Sequence, residues 1–162
     1  MSRIDNEIRI TPSVLDRLID DRPEVTRDPP ASRQTSLRLL KEAVRRDLEW
    51  LLNTRVSLDH VPEELPEAKR SLATFGLPDF TDRNIKISEE QDDMRHVIAT
   101  AVQVFEPRLE GVEVLLEGLA ETDRAVRFRI EARLRVEPAP EPVVFDTMLQ
   151  IGSGEFRVKG DR

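Results

Sequence analysis

The apolar residues of this chain change their spacing at Pro107, and that change constrains the fold more than any other feature. Before it, Met94, Val97, Ile98, Ala101, Val102 and Phe105 recur every three or four residues, the rhythm of a helix with one buried face. Pro107 ends that pattern, because the residue before a proline is pushed out of the helical region. After it the period is two. Val112, Val114 and Leu116 alternate with Glu113 and Glu117, and Val126, Phe128, Ile130, Ala132, Leu134 and Val136 alternate with charged residues. A further alternating run holds Val143, Phe145, Thr147, Leu149 and Ile151, and Gly152-Ser153-Gly154 turns it into a short last strand around Phe156 and Val158.

Helical rhythm before Pro107 and strand rhythm after it predict an α+β domain. The expected form is a small antiparallel or mixed sheet of about four strands, packed on one face against two long helices. The second long helix is expected to open on a capping box of Ser88 and Gln91. The first runs from Leu37, with Leu40, Val44, Leu48 and Leu51 on its stripe and Leu39, Ala43 and Trp50 widening it, and it ends near Asn53. Between the helices, Pro62, Pro66, Gly76 and Pro78 predict irregular structure with one short helical turn.

Residues 1–36 read as an N-terminal arm. Thr11 and Pro12 are expected to start a short helix carrying Val14, Leu15, Leu18 and Ile19. Residues 20–36 are rich in proline and charge and read as a flexible strap, so the folded domain is placed at 37–162.

Composition narrows the function classes. With no cysteine, disulfide and thiolate chemistry are excluded. A net charge of −7 speaks against nucleic acid as the main ligand. No apolar run approaches the roughly 20 residues of a membrane span, so a cytoplasmic protein is expected. Only four of the 25 basic residues are Lys (41, 69, 86 and 159), and the arginine excess suits bidentate protein contacts.

No catalytic or metal constellation emerges. Among 32 carboxylates a chance pair near any cleft is expected, and six Phe, one Trp and no Tyr supply few aromatic faces for a sugar groove. Asp92 and His96 have ligand spacing on a helix, but His60 is the only other histidine. No Gly-x-Ser-x-Gly elbow occurs, and Gly152-Ser153-Gly154 lacks the following helix of a phosphate cradle. Arg127, Arg129, Arg133 and Arg135 form a basic stripe interrupted by Glu131, which reads as a solvated sheet face or one covered by a protein. Glu106 and Arg108 flank the proline, as a catalytic pair, an ion pair or a docking handle.

Four stretches together resemble one family: TPSVLDRLIDD at the start, RRDLEWLLNTR at 45–55, SLATFGLPDF at 71–80 and FEPRLEGVEV at 105–114. Their order and spacing are similar to those of the gene 25-like phage baseplate wedge proteins and their type VI secretion counterparts, TssE. Phe75 departs from the tyrosine frequent before Gly-Leu-Pro in that family.

The resemblance implies a structural subunit without cofactor or metal. It would sit in the wedge with TssF, TssG and TssK, and template the first sheath ring of TssB and TssC by strand exchange. It would assemble at the inner face of the cell envelope, with no nucleic acid and no membrane insertion. The motif Glu106, Pro107 and Arg108 is implied as the wedge-docking signature. A strand edge near Phe156 and Val158, or along Val143 to Ile151, is expected to receive the sheath. The alternatives are a peptidoglycan hydrolase of the same machine, in keeping with a lysozyme-like label the family carries, and a stand-alone adaptor with the same fold.

Overall fold

A computed structural model describes residues 10–19, 24, 32–56, 61–62, 64–80, 87–120 and 125–160. Most of the expected strap, and His60, lie outside the described residues. The order is α1 (Val14–Leu18), α2 (Arg33–Asn53), two 3-10 turns (Ala68–Arg70 and Leu72–Thr74), α3 (Ser88–Phe105), then β1 (Leu109–Ala120), β2 (Ala125–Leu134), β3 (Glu141–Gln150) and β4 (Phe156–Lys159). The strands form one antiparallel meander in the order β1-β2-β3-β4. The fold is therefore the expected α+β arrangement, with the sheet in the C-terminal half.

The period-two reading sets the faces. In β2, Val126, Phe128, Ile130, Ala132 and Leu134 are buried, and Arg127 and Arg133 are exposed on the opposite face. Leu48 and Leu52 of α2 and Met94, Ile98 and Val102 of α3 close over the buried face, with Phe128, Phe145 and Phe156 at the centre. Each such side chain contributes about 1.5–3 kcal/mol of hydrophobic stabilisation. α2 lies against β4 and α3 against β1.

Local details depart from the sequence expectations at the helix starts. α2 begins at Arg33, four residues before its apolar stripe, because the Ser32 hydroxyl caps it by accepting from the Thr35 N–H. α1 is capped by Ser13 rather than Thr11, in a reciprocal box with Asp16. The Ser88–Gln91 box does not form. Ser88 is already helical, and Ile87 accepts the first intrahelical bond from the Gln91 N–H with no side-chain cap. The acidic first turn, Glu89 and Glu90, complements the helix dipole instead. Leu39 and Trp50 do not widen the α2 core face. They are exposed, Trp50 at 62%, and Leu52 is buried in their stead.

The sheet has two outer strands, and they differ. In an antiparallel ladder bonded and non-bonded pairs alternate. The bond from the Gln150 N–H to the Glu155 carbonyl sets the phase at β3–β4, so Phe156 and Val158 turn their backbone groups outward. The Asn53 carboxamide meets Phe156 with both its atoms, accepting from the N–H and donating to the carbonyl, each at 2.8 Å. Arg45 donates to the Val158 carbonyl at 3.2 Å. α2 thus closes the β4 edge expected to be free, and the side chains of Phe156 and Val158 are core, not contact surface. The alternative edge, β3, is interior. It is paired on both sides over Asp146–Leu149, and Pro142 interrupts its remaining open part.

Candidate functional site

The site grows from the elbow between α3 and β1. Glu106 caps α3, its N–H still bonded to the Val102 carbonyl, and its own carbonyl accepts from the Leu109 N–H at 3.1 Å. That is a β-turn with Pro107 at its second position, where the fixed φ of proline suits the geometry. The turn brings Arg108 back over Glu106. Nε and Nη2 of Arg108 grip the two carboxylate oxygens at 2.6 and 2.5 Å, a fork-on-fork pair.

The pair extends into a network. Arg108 Nη2 also donates to Asp47 of α2 at 2.6 Å. The other oxygen of Asp47 accepts from Arg46 Nη2 at 2.8 Å, and the same nitrogen reaches Asp16 of α1 at 2.7 Å. Arg108 Nη1 lies 4.0 Å from Asp16. Glu106 is 4% exposed, so this is a buried ion pair continuing toward the surface. Burial works against the Arg108 charge, but its bonds to Glu106 and Asp47 more than offset this and raise its pKa. Burial likewise disfavours the Asp16 charge. The Ser13 hydroxyl and the Arg46 guanidinium outweigh it and hold the carboxyl below its ordinary value.

Beside the network runs an apolar groove. Leu15 of α1, Trp50 and Leu51 of α2, Phe75, Phe105 and Pro107 line it. Phe75 packs edge-on against Phe105, ring centres 5.2 Å apart. The Phe75 loop is held there by Gly76, where φ is +119° and a side chain would meet the Thr54 carbonyl at 2.4 Å. The flanking bonds, Leu77 N–H to Thr54 and Val56 N–H to Leu77, join this loop to the end of α2. All four stretches that carry the family resemblance contribute to this one groove.

Residues 38–139 match the family of baseplate wedge protein gp25. The chain belongs to the gp25 family. No curated protein matches it significantly. The gp25 family supports a structural wedge role in the baseplate of a contractile injection system.

In this gp25-family chain Glu106 and Arg108 of the elbow motif pair across Pro107, while the other residues expected at a contact lie elsewhere. Arg127, Arg129, Arg133 and Arg135 are on the outer face of the sheet. Arg129 bridges Glu117 and Asp146, while Arg133 and Arg135 share Glu110. The bond to Asp146 and the field of Glu117 raise the Arg129 pKa. Phe156 and Val158 are buried at the far strand. Asp92 pairs with Arg95, and the described residues hold no cluster of three metal-ligating side chains. Asp16, Arg46 and Asp47 are not marked by spacing, and spacing puts Trp50 on the core stripe. In the sequence these positions stand out only as members of TPSVLDRLIDD and RRDLEWLLNTR.

Proposed function

We propose that this chain is a structural wedge subunit of a contractile type VI secretion baseplate, not an enzyme, that docks on the wedge and nucleates the sheath. It works in the cytoplasm, at the inner face of the cell envelope, with TssF, TssG and TssK on the wedge side and TssB and TssC on the sheath side. The observation that carries the reading is the convergence, on the groove beside Glu106 and Arg108, of three separated stretches inside the family match, joined there by Leu15 of the N-terminal stretch.

An exposed Trp50 over an apolar floor, next to desolvated charges, has the chemistry of a protein-binding hot spot. The four arginines of the basic stripe, Arg127, Arg129, Arg133 and Arg135, lie on the opposite side of the sheet, so the wedge contact is assigned to the groove.

The test is co-purification of wild type and of Glu106→Ala with Arg108→Ala against TssF–TssG and TssB–TssC, with circular dichroism on both. Loss of the wedge subunits by a folded double variant supports docking at the elbow. Equal capture makes the motif a structural turn alone. Capture of neither set by wild type sinks the assignment in favour of an adaptor, and cleavage of peptidoglycan by the purified protein in favour of a hydrolase.

A further inference from the structure

We infer that α1 is a removable cover on the groove, displaced by a helical segment of the wedge partner that carries a carboxylate among bulky apolar residues, as α1 does. The inference rests on the wedge-docking reading above. It names the chemistry of that contact and what occupies the site before the contact forms.

The attachment of α1 is narrow. It has five residues, fewer than a helix needs to persist by itself. None of them is buried, and α1 packs broadly against no other described element. Val14 and Leu18 turn outward, 73% and 75% exposed. What holds α1 is Leu15 at the groove and Asp16, whose Oδ1 accepts from Arg46 Nη2 at 2.7 Å. With Leu15 in place a cavity of about 420 Å³ still remains in the groove. Leu51, Phe75 and Phe105 therefore keep apolar surface there that α1 does not use.

The charges specify the replacement. Arg108 spends Nε and Nη2 on Glu106 and Asp47, and its Nη1 lies 4.0 Å from Asp16. Arg46 Nη2 reaches the same carboxylate. Two guanidinium groups thus converge on one carboxylate position. Burial opposes the Asp16 charge there, yet Ser13 and Arg46 outweigh it and keep the group ionised. A competitor without an acid would leave both guanidinium groups beside an apolar surface with that partner gone, a desolvation cost with no return. A basic competitor would add repulsion. A helix that supplies its own aspartate or glutamate and fills the cavity with leucine-like side chains keeps the pairing and adds burial.

Trp50 is the sole tryptophan of the chain and lines the groove, so its emission reports occupancy. The test follows that emission and hydrogen exchange in the intact wild type and in Asp16→Asn. The probes are the purified TssF–TssG pair, the peptide TPSVLDRLIDD, and the same peptide carrying Asp16→Asn. Expected is at least fivefold tighter binding of TssF–TssG by Asp16→Asn than by wild type, with faster exchange of the α1 amides in the wild-type complex. The unaltered peptide should shift Trp50 emission in Asp16→Asn, and the altered one should not at the same concentration. Weaker binding by Asp16→Asn, or α1 amides that gain protection in the complex, makes α1 part of the contact and overturns the inference. An equal response to both peptides overturns the carboxylate. Dimerisation that releases α1 overturns the wedge partner in favour of a second copy. If the peptide acts and TssF–TssG binds neither protein, the removable cover stands and the wedge-docking reading falls.

Discussion

The side-chain amide of Asn53 acts as a one-residue strand beside Phe156, holding its N–H and its carbonyl at once. A helix terminus thereby closes a sheet edge that backbone pairing leaves open. Asn53→Ala is expected to cost about 1–3 kcal/mol, since it strands backbone groups at a part-buried site. Asn53→Asp loses the donor and sets a carboxylate against the Phe156 carbonyl, so it is expected to be at least as damaging. Urea titration of the three proteins checks this, and an unchanged midpoint for Asn53→Ala refutes it.

Arg108 and Glu106 are unequal partners. Glu106 is the buried one, so Arg108→Ala leaves an uncompensated carboxylate inside and is expected to cost about 3–5 kcal/mol. Glu106→Gln keeps the volume and removes the charge, and should cost less. Thermal melts of both variants report the order, which reversal would contradict.

α1 is fastened almost entirely by Asp16. Its other side chains are exposed, Val14 at 73%. Asp16→Asn is expected to free the α1 amides to exchange while the sheet and α3 keep their protection. Because the Asp16 carboxyl is held below the ordinary 3.8, its contribution is complete above that pH and is lost as pH falls through the lower folded value. The fastening is therefore flat across neutral pH, with Arg46 and Arg108, both raised above the ordinary arginine value, remaining charged around it. A release of α1 near pH 6 would contradict this.

The Thr147 hydroxyl is buried on the core face with no hydrogen-bond partner among the described residues. Thr147→Val keeps the shape and removes an unsatisfied group, so it is expected to be neutral or to stabilise by up to about 1–2 kcal/mol. Urea midpoints decide it, and a marked loss would show that the hydroxyl has an unseen partner.

Gly76→Ala puts a methyl group on the Thr54 carbonyl at a backbone angle side chains avoid. A loss of about 2–4 kcal/mol is expected in a melt, with the Phe75–Phe105 contact loosened.

The sheet was legible because alternation is a local signal. The apolar faces of β2 and β3 can be read from neighbours two positions apart, and the same holds for the stripes of α2 and α3. The helix starts were less so, since Ser13 and Ser32 cap through hydroxyls that other nearby polar residues rival in the sequence. At the site, Pro107 announced the turn and Glu106 and Arg108 their charge. Asp16 and Asp47 did not announce themselves, because their partners are fixed by how α1 and α2 pack. The open edge was misread for the same reason, as Asn53 reaches Phe156 only after the chain has folded.

The meander also dictates an order of events. Each of its hairpins joins strands adjacent in the chain, so β1 to β3 can pair early at little loop-closure cost. The seam between α2 and β4 joins residues 103 positions apart and has nothing to hold it until the rest of the sheet exists. Asn53 variants should therefore accelerate unfolding and leave the refolding rate nearly unchanged in a denaturant-jump series. The seam that completes the domain is also the first to part, and the strand behind it is the one whose pairing surface the native state keeps hidden.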